Sequence, residues 1–156
     1  MQAIEMLKQD HARVHELFDE LERSAPQQRQ ELLDRIADEL EIHAQLEEEI
    51  FYAAASEVTR RTDDLRAGHE QVRTLVERAE GLDPHGADFM SALRALKGCV
   101  LSHVAEEEGG AFLEAARLGP AALDRLGQQM AERRETLASS VQRGQRAAKR
   151  ATRKVA

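Results

Sequence analysis

His43-Ala44-Gln45-Leu46-Glu47-Glu48-Glu49-Ile50-Phe51 has a partner sixty positions later, His103-Val104-Ala105-Glu106-Glu107-Glu108-Gly109-Gly110-Ala111-Phe112. Each stretch places a histidine four residues before a glutamate. On a helix, positions i and i+4 share one face, one turn or roughly 6 Å apart. An imidazole and a carboxylate so placed can bind neighbouring cations, or the carboxylate can bridge two. Two such helices facing each other would supply half of a two-metal cage or more.

The surrounding sequence is helical throughout. Ala, Leu, Glu, Gln and Arg dominate, β-branched residues are few, and only Gly and Pro clusters near positions 25, 84 and 119 interrupt long helix-forming runs. Apolar residues recur at helical spacing within 1–23 (Ile4, Leu7, Val14, Leu17, Phe18, Leu21), with His11 inside the stripe. A second helix is predicted over about 27–58, striped by Leu33, Ile36, Leu40, His43, Glu47, Ile50 and Ala54. Thr62, followed by Asp63 and Asp64, reads as an N-cap. The helix it opens, to about residue 80, aligns Leu65, His69, Val72, Val76 and Ala79. A fourth helix over about 87–117 aligns Leu93, Leu96, Val100, His103, Glu107 and Ala111. Gly119-Pro120 ends it, and a shorter helix over about 121–141 shows Leu123, Leu126, Met130 and Leu137.

There is an internal repeat. His-x-x-Val-x-x-Leu occurs at His11 and again at His69, 58 residues on, and His43 and His103 form the second repeated pair. Two similar hairpins facing each other make an all-α, antiparallel up-down-up-down four-helix bundle, with one histidine per helix at a similar height. The expected organisation is a bundle over 1–117, an additional short helix over 118–142 and a basic tail over 143–156.

Composition narrows the function. The 156 residues suit one domain with a proper core. Net charge is −7, with +6 from Arg143, Arg146, Lys149, Arg150, Arg153 and Lys154, leaving −13 on the rest. Such an acidic body argues against nucleic acid as a partner. One cysteine, Cys99, excludes an intrachain disulfide and fits a reducing compartment. With no signal-peptide pattern and no apolar run of about 18 residues, no membrane partner and a cytoplasmic location are expected. Nothing in the sequence sets an oligomeric state.

Four histidines and two glutamates fall on core-facing positions. Burying a carboxylate costs several kcal/mol unless it is paired or binds metal, and the stripes hold too few Lys or Arg to neutralise them. A set of imidazole and carboxylate without thiolate suits iron, manganese or zinc, and open positions suit non-haem iron. The Glu-x-x-His pattern of ferritin-type di-iron bundles is missing, since Lys8, Ala12, Leu40, Arg66, Leu82 and Val100 stand three before the histidines. The His-Glu-x-x-His pattern of zinc proteases is missing too, since Arg73 follows His69-Glu70.

Asp10-His11, His43-x-x-x-Glu47-Glu48 leading into Ile50-Phe51-Tyr52, His69, and His103-x-x-x-Glu107-Glu108 resemble the hemerythrin-like, or HHE cation-binding, family over about 3–117. The fifth helix around Leu126–Ala131 is similar to that of bacterial and mycobacterial-type members. The resemblance implies two iron ions with an oxo or hydroxo bridge. By position, it implies His11, His43, Glu47, His69, His103 and Glu107 as the metal ligands. It departs from the oxygen carriers at Arg73, where they have a second histidine, and at Glu107, where they have a later aspartate. It therefore implies a dioxygen, hydrogen peroxide or nitric oxide ligand, with catalase-like peroxide breakdown as the sharpest form. An oxygen- or iron-sensing module without turnover is the alternative. Many relatives end the two His-Glu helices with Pro, whereas Ala53 and Leu113 stand there, so these helices are expected to run on. Tyr52 reads either as a second-shell group for a bound oxygen species or as core. Glu48 and Glu108 read as acceptors for ligand imidazoles or as solvated groups. His15 is expected at the rim, His85 in a loop, and Cys99 as a small apolar group.

Overall fold

The computed structural model describes residues 1–140, which are helical with no strand. The expected basic tail and the last residues of the fifth segment, 141–156, lie outside the described residues. Helix α1 spans Ala3–Arg23 and opens on Gln2, whose side chain accepts from the Ile4 N–H at 2.9 Å. Helix α2 spans Arg29–Leu46, α3 Thr62–Glu80, α4 Ala87–Glu106 and α5 Pro120–Ser139. The first four form the bundle, with α1 packed on α2 and α3 on α4, while α5 lies against α1 and α2.

The second and fourth segments differ from the unbroken helices expected over 27–58 and 87–117. Pro26–Gln28 is a 3-10 turn before α2. Past Leu46 and past Glu106 the chain widens into π-helical turns, Glu47–Phe51 and Glu107–Ala111. The Tyr52 and Phe112 N–H groups there donate five residues back, to the Glu47 and Glu107 carbonyls. Both segments do run on past the missing prolines, as short helical turns Tyr52–Ala55 and Phe112–Ala115. A π turn inserts an extra residue into the helical register. The buried stripe accordingly moves by one: Phe51 and Ala55 are buried where Ile50 and Ala54 are expected.

Thr62 is not an N-cap. It is the first helical residue, buried, and Arg61 occupies the cap position with no side-chain bond to the helix end. Asp63 and Asp64 do fall in the first turn, where the helix dipole favours anions. Gly119 takes φ +88°, a conformation that suits glycine, and Pro120 then starts α5 at a position that needs no N–H.

The core has two layers. Toward the α1–α2 and α3–α4 connections, Val14, Phe18, Leu33, Ile36, Val76, Phe89 and Leu96 pack together. Toward the other end, Leu7, Leu46, Phe51, Tyr52, Leu65, Phe112 and the inner face of α5 form the second. Phe18, Phe51 and Phe89 are fully buried, each contributing about 1.5–3 kcal/mol of burial energy. The histidine level lies between the layers.

Candidate metal centre

One histidine rises from each of α1 to α4, and the π turns begin at the two glutamates. His11, His43, Glu47, His69, His103 and Glu107 are all buried, the two glutamates completely. Their donor atoms converge. His11 Nε2 lies 3.2 Å from His43 Nε2 and 3.5 Å from Glu107 Oε1. His43 Nε2 is 3.3 Å from Glu47 Oε1, His69 Nε2 3.0 Å from Glu47 Oε2, and His103 Nε2 3.0 Å from Glu107 Oε1. Two groups form, His11-His43-Glu47-Glu107 and Glu47-His69-His103, each with donor atoms within 4.8 Å of one another, and Glu47 belongs to both.

The six residues suit a cation better than they suit each other. Glu47 Oε1, Glu107 Oε1 and His103 Nε2 are buried with no hydrogen-bond partner among the described residues. Such orphaned atoms cost about 1–3 kcal/mol each, more when charged. Three of them, spread over two donor groups that share Glu47, are what a buried cluster short of positive charge leaves.

The outer ring nitrogens are braced. His11 Nδ1 meets Glu108 Oε1 at 2.8 Å, His69 Nδ1 meets Glu48 Oε1 at 2.8 Å, and His43 Nδ1 meets Asp10 Oδ2 at 3.1 Å. A carboxylate on Nδ1 keeps the proton there and turns the Nε2 lone pair inward. Of the two readings open for Glu48 and Glu108, the acceptor role is the one adopted. Among the described residues no carboxylate braces His103 in this way; its Nδ1 lies against Gly68, where an added Cβ would sit 2.6 Å away.

The field of this cluster is strong. Burial alone would lower the His43 pKa, but Glu47, the Asp10 bond and Glu107 raise it well above the usual imidazole range. Burial would raise Glu47, yet His43 and the surrounding hydrogen bonds hold it well below the usual carboxylate range. His69 is raised against burial by Glu47 and Glu48. Asp10 is lowered against burial by His43 and Arg134, and Glu48 against burial by Arg73 and His69.

Tyr52 stands five residues after Glu47, which the π turn brings onto the same side. Its hydroxyl is 3.0 Å from Glu47 Oε2, 3.0 Å from Glu107 Oε2 and 3.3 Å from His69 Nε2. With one proton it donates to one carboxylate at a time. Burial and the two carboxylates push its pKa far up, so it stays a neutral donor. Phe112, its repeat counterpart, stacks on the His11 ring at 5.7 Å and 5°.

Arg73 is engaged by carboxylates, Glu70 at 2.6 Å among them. It donates to Glu41 at 3.0 and 3.2 Å and to Glu48 at 3.1 Å, so it reaches His69 only through Glu48. A cavity of about 300 Å³ adjoins the histidines, lined by Val14, Leu40, Val72, Val76 and Val100 together with the charged Glu41, Arg73, Glu77 and Glu80. His15 and His85 are exposed, near Asp19 and Asp83. Cys99 is half-buried and free, with its thiol pKa pushed up by burial. Sequence reasoning missed Gly68 and Arg134 and did not assign Asp10 a role. The only signal for Asp10 was its place beside His11.

A helical bundle enclosing a cluster of imidazoles and carboxylates is the architecture of a cation-binding four-helix protein. The model of the hemerythrin HHE cation-binding domain matches residues 2–115, and the chain belongs to that family. A crystal structure of a hemerythrin HHE cation-binding domain-containing protein from Mycobacterium kansasii superposes with a TM-score of 0.81 at 25% identity. It covers 93% of this chain and 89% of its own. A DNA nickase of Nostoc sp. is 31% identical over 111 residues, 69% of this chain. The chain spans about a third (32%) of that protein's length. Among the described residues, no helix is long and apolar enough to cross a membrane.

Proposed function

We propose that this chain is a non-haem di-iron protein that binds or processes dioxygen, hydrogen peroxide or nitric oxide, with catalase-like peroxide breakdown as its sharpest form. His11, His43, Glu47, His69, His103 and Glu107 would hold the ions, Glu47 being common to both donor groups. The observation that carries this reading is the set of three buried, unpartnered donor atoms, Glu47 Oε1, Glu107 Oε1 and His103 Nε2, in two donor groups joined by Glu47. The pair of ions supplies two-electron redox chemistry at neutral pH.

The chain's own residues do the rest. Glu108, Asp10 and Glu48 orient three of the rings. Tyr52 holds a proton at its hydroxyl beside both carboxylates, placed to hydrogen-bond a small molecule arriving there. The cavity beside the histidines, walled in part by Val14, Leu40, Val72, Val76 and Val100, gives a small molecule room to reach them.

Metal analysis, a visible spectrum and oxygen evolution from peroxide test this reading. About two irons per chain, an absorbing centre and peroxide-dependent oxygen release are expected. Iron loading without peroxide turnover would move the reading to binding or sensing. A chain that takes up no iron would sink it.

A further inference from the structure

We propose that Arg134 is a positioning residue of the metal centre, so that α5 is part of the site although it lies outside the residues the family model matches. The inference rests on the reading of the centre given above. Arg134 Nη2 donates to Asp10 Oδ2 at 2.6 Å. The same oxygen accepts from His43 Nδ1 at 3.1 Å. Asp10 is 4% exposed, and a buried carboxylate is held in place by whatever satisfies it. The chain Arg134–Asp10–His43 thus sets the direction in which His43 Nε2 points, toward Glu47 Oε1 at 3.3 Å.

The register of α5 is built for this contact. The α5 backbone passes so close to the start of α1 at Gly127 that a Cβ would fall 2.2 Å from the Met1 carbonyl and 3.0 Å from the Ala3 nitrogen. From Gly127 to Arg134 is seven residues, and from Ala3 to Asp10 is seven. The two helices therefore run parallel, in step over two turns or about 10.5 Å. The neighbouring Arg133 reaches across the seam to Glu49, at 2.8 and 3.2 Å. Arg133 thus fixes α5 to the second segment without touching the brace on His43, which makes it the natural control.

The test compares full-length wild type, Arg134→Gln, Arg134→Lys, Arg133→Gln, Asp10→Asn and the Asp10→Asn, Arg134→Gln double variant. Each is loaded with ferrous iron, and iron loss to a ferrous chelator is timed. Thermal midpoints of the metal-free proteins are measured alongside. Asp10→Asn, which alters the direct partner of a ligand, is expected to lose iron about ten- to a hundred-fold faster, and Arg134→Gln, one hydrogen bond further out, faster than wild type but by less than Asp10→Asn. Arg134→Lys should fall between Arg134→Gln and wild type, and Arg133→Gln should match wild type. Asp10→Asn combined with Arg134→Gln should be no faster than Asp10→Asn alone. Unchanged iron loss in Arg134→Gln, or the same acceleration in Arg133→Gln, overturns the proposal, and so does a change that merely tracks a fall in the metal-free midpoint. If Arg134→Gln does not fold, Arg134→Lys decides: faster loss at an unchanged metal-free midpoint supports the proposal, and wild-type loss overturns it. A wild type that takes up no iron overturns instead the reading of the centre beneath it.

Discussion

The α1–α2 hairpin and the α3–α4 hairpin carry the same pattern but brace it differently. The shared part is reciprocal. Glu48, next to Glu47 in the first hairpin, holds His69 of the second, and Glu108, next to Glu107 in the second, holds His11 of the first. Each half thus orients a histidine of the other, which ties formation of the site to docking of the hairpins. The unshared part lies one residue before the first histidine of each half. Asp10 there accepts from His43. Its repeat counterpart is Gly68, which leaves room for the His103 ring and offers it no acceptor. One half therefore holds its second histidine by charge and the other by shape. Four residues after those first histidines the halves diverge again: Arg73 clamps Glu41 and Glu48, while His15 is an exposed residue near Asp19.

The comparison breaks most visibly at the residue both halves share. Glu47→Ala should abolish uptake of both ions, because Glu47 belongs to both donor groups, whereas Glu107→Ala belongs to one and should retain part. Iron per chain after loading and desalting checks this, and equal retention in the two variants would remove the asymmetry. Gly68→Ala comes next. The added methyl would press on His103 Nδ1, and overpacking of this kind costs roughly 1–3 kcal/mol. Denaturant unfolding should show that loss, together with weakened metal binding. Glu48→Gln and Glu108→Gln test the reciprocal braces, each with an expected loss of about ten- to a hundred-fold in metal affinity by chelator competition. Glu48→Gln should be the worse, since its side chain is 22% exposed against 38% for Glu108 and is also gripped by Arg73. Smallest of all, His15→Gln should leave metal affinity and stability within about 0.5 kcal/mol of wild type, as exposed substitutions do. A larger effect would show that the repeat extends to this position after all.

Much of this was legible before any coordinates. Leu33, Ile36, Val76, Leu93 and Leu96 keep the 3.6-residue period because each helix buries one stripe, and that period is written locally. His43 with Glu47 and His103 with Glu107 were legible for the same reason, being four apart on one helix. The π turns were not. A widened turn depends on what Glu47 and Glu107 meet across the bundle, so Ile50 and Ala54 looked inward until the register moved to Phe51 and Ala55. Thr62 has the chemistry of a cap, yet it is drawn inside the helix and buried.

The sequence by itself determined that this chain forms long amphipathic helices in two repeated hairpins, with one core-facing histidine on each bundle helix and a glutamate one turn beyond two of them. Only the tertiary structure decided which carboxylate faces which ring, that Gly68 is a space and Asp10 a brace, and that Arg134, 124 residues from Asp10, shares its oxygen with His43. The physical reason is range. Periodicity and i,i+4 neighbours are properties of one helix, whereas an inter-helix hydrogen bond requires the axial register and rotation of two helices, which the packing of the whole core sets.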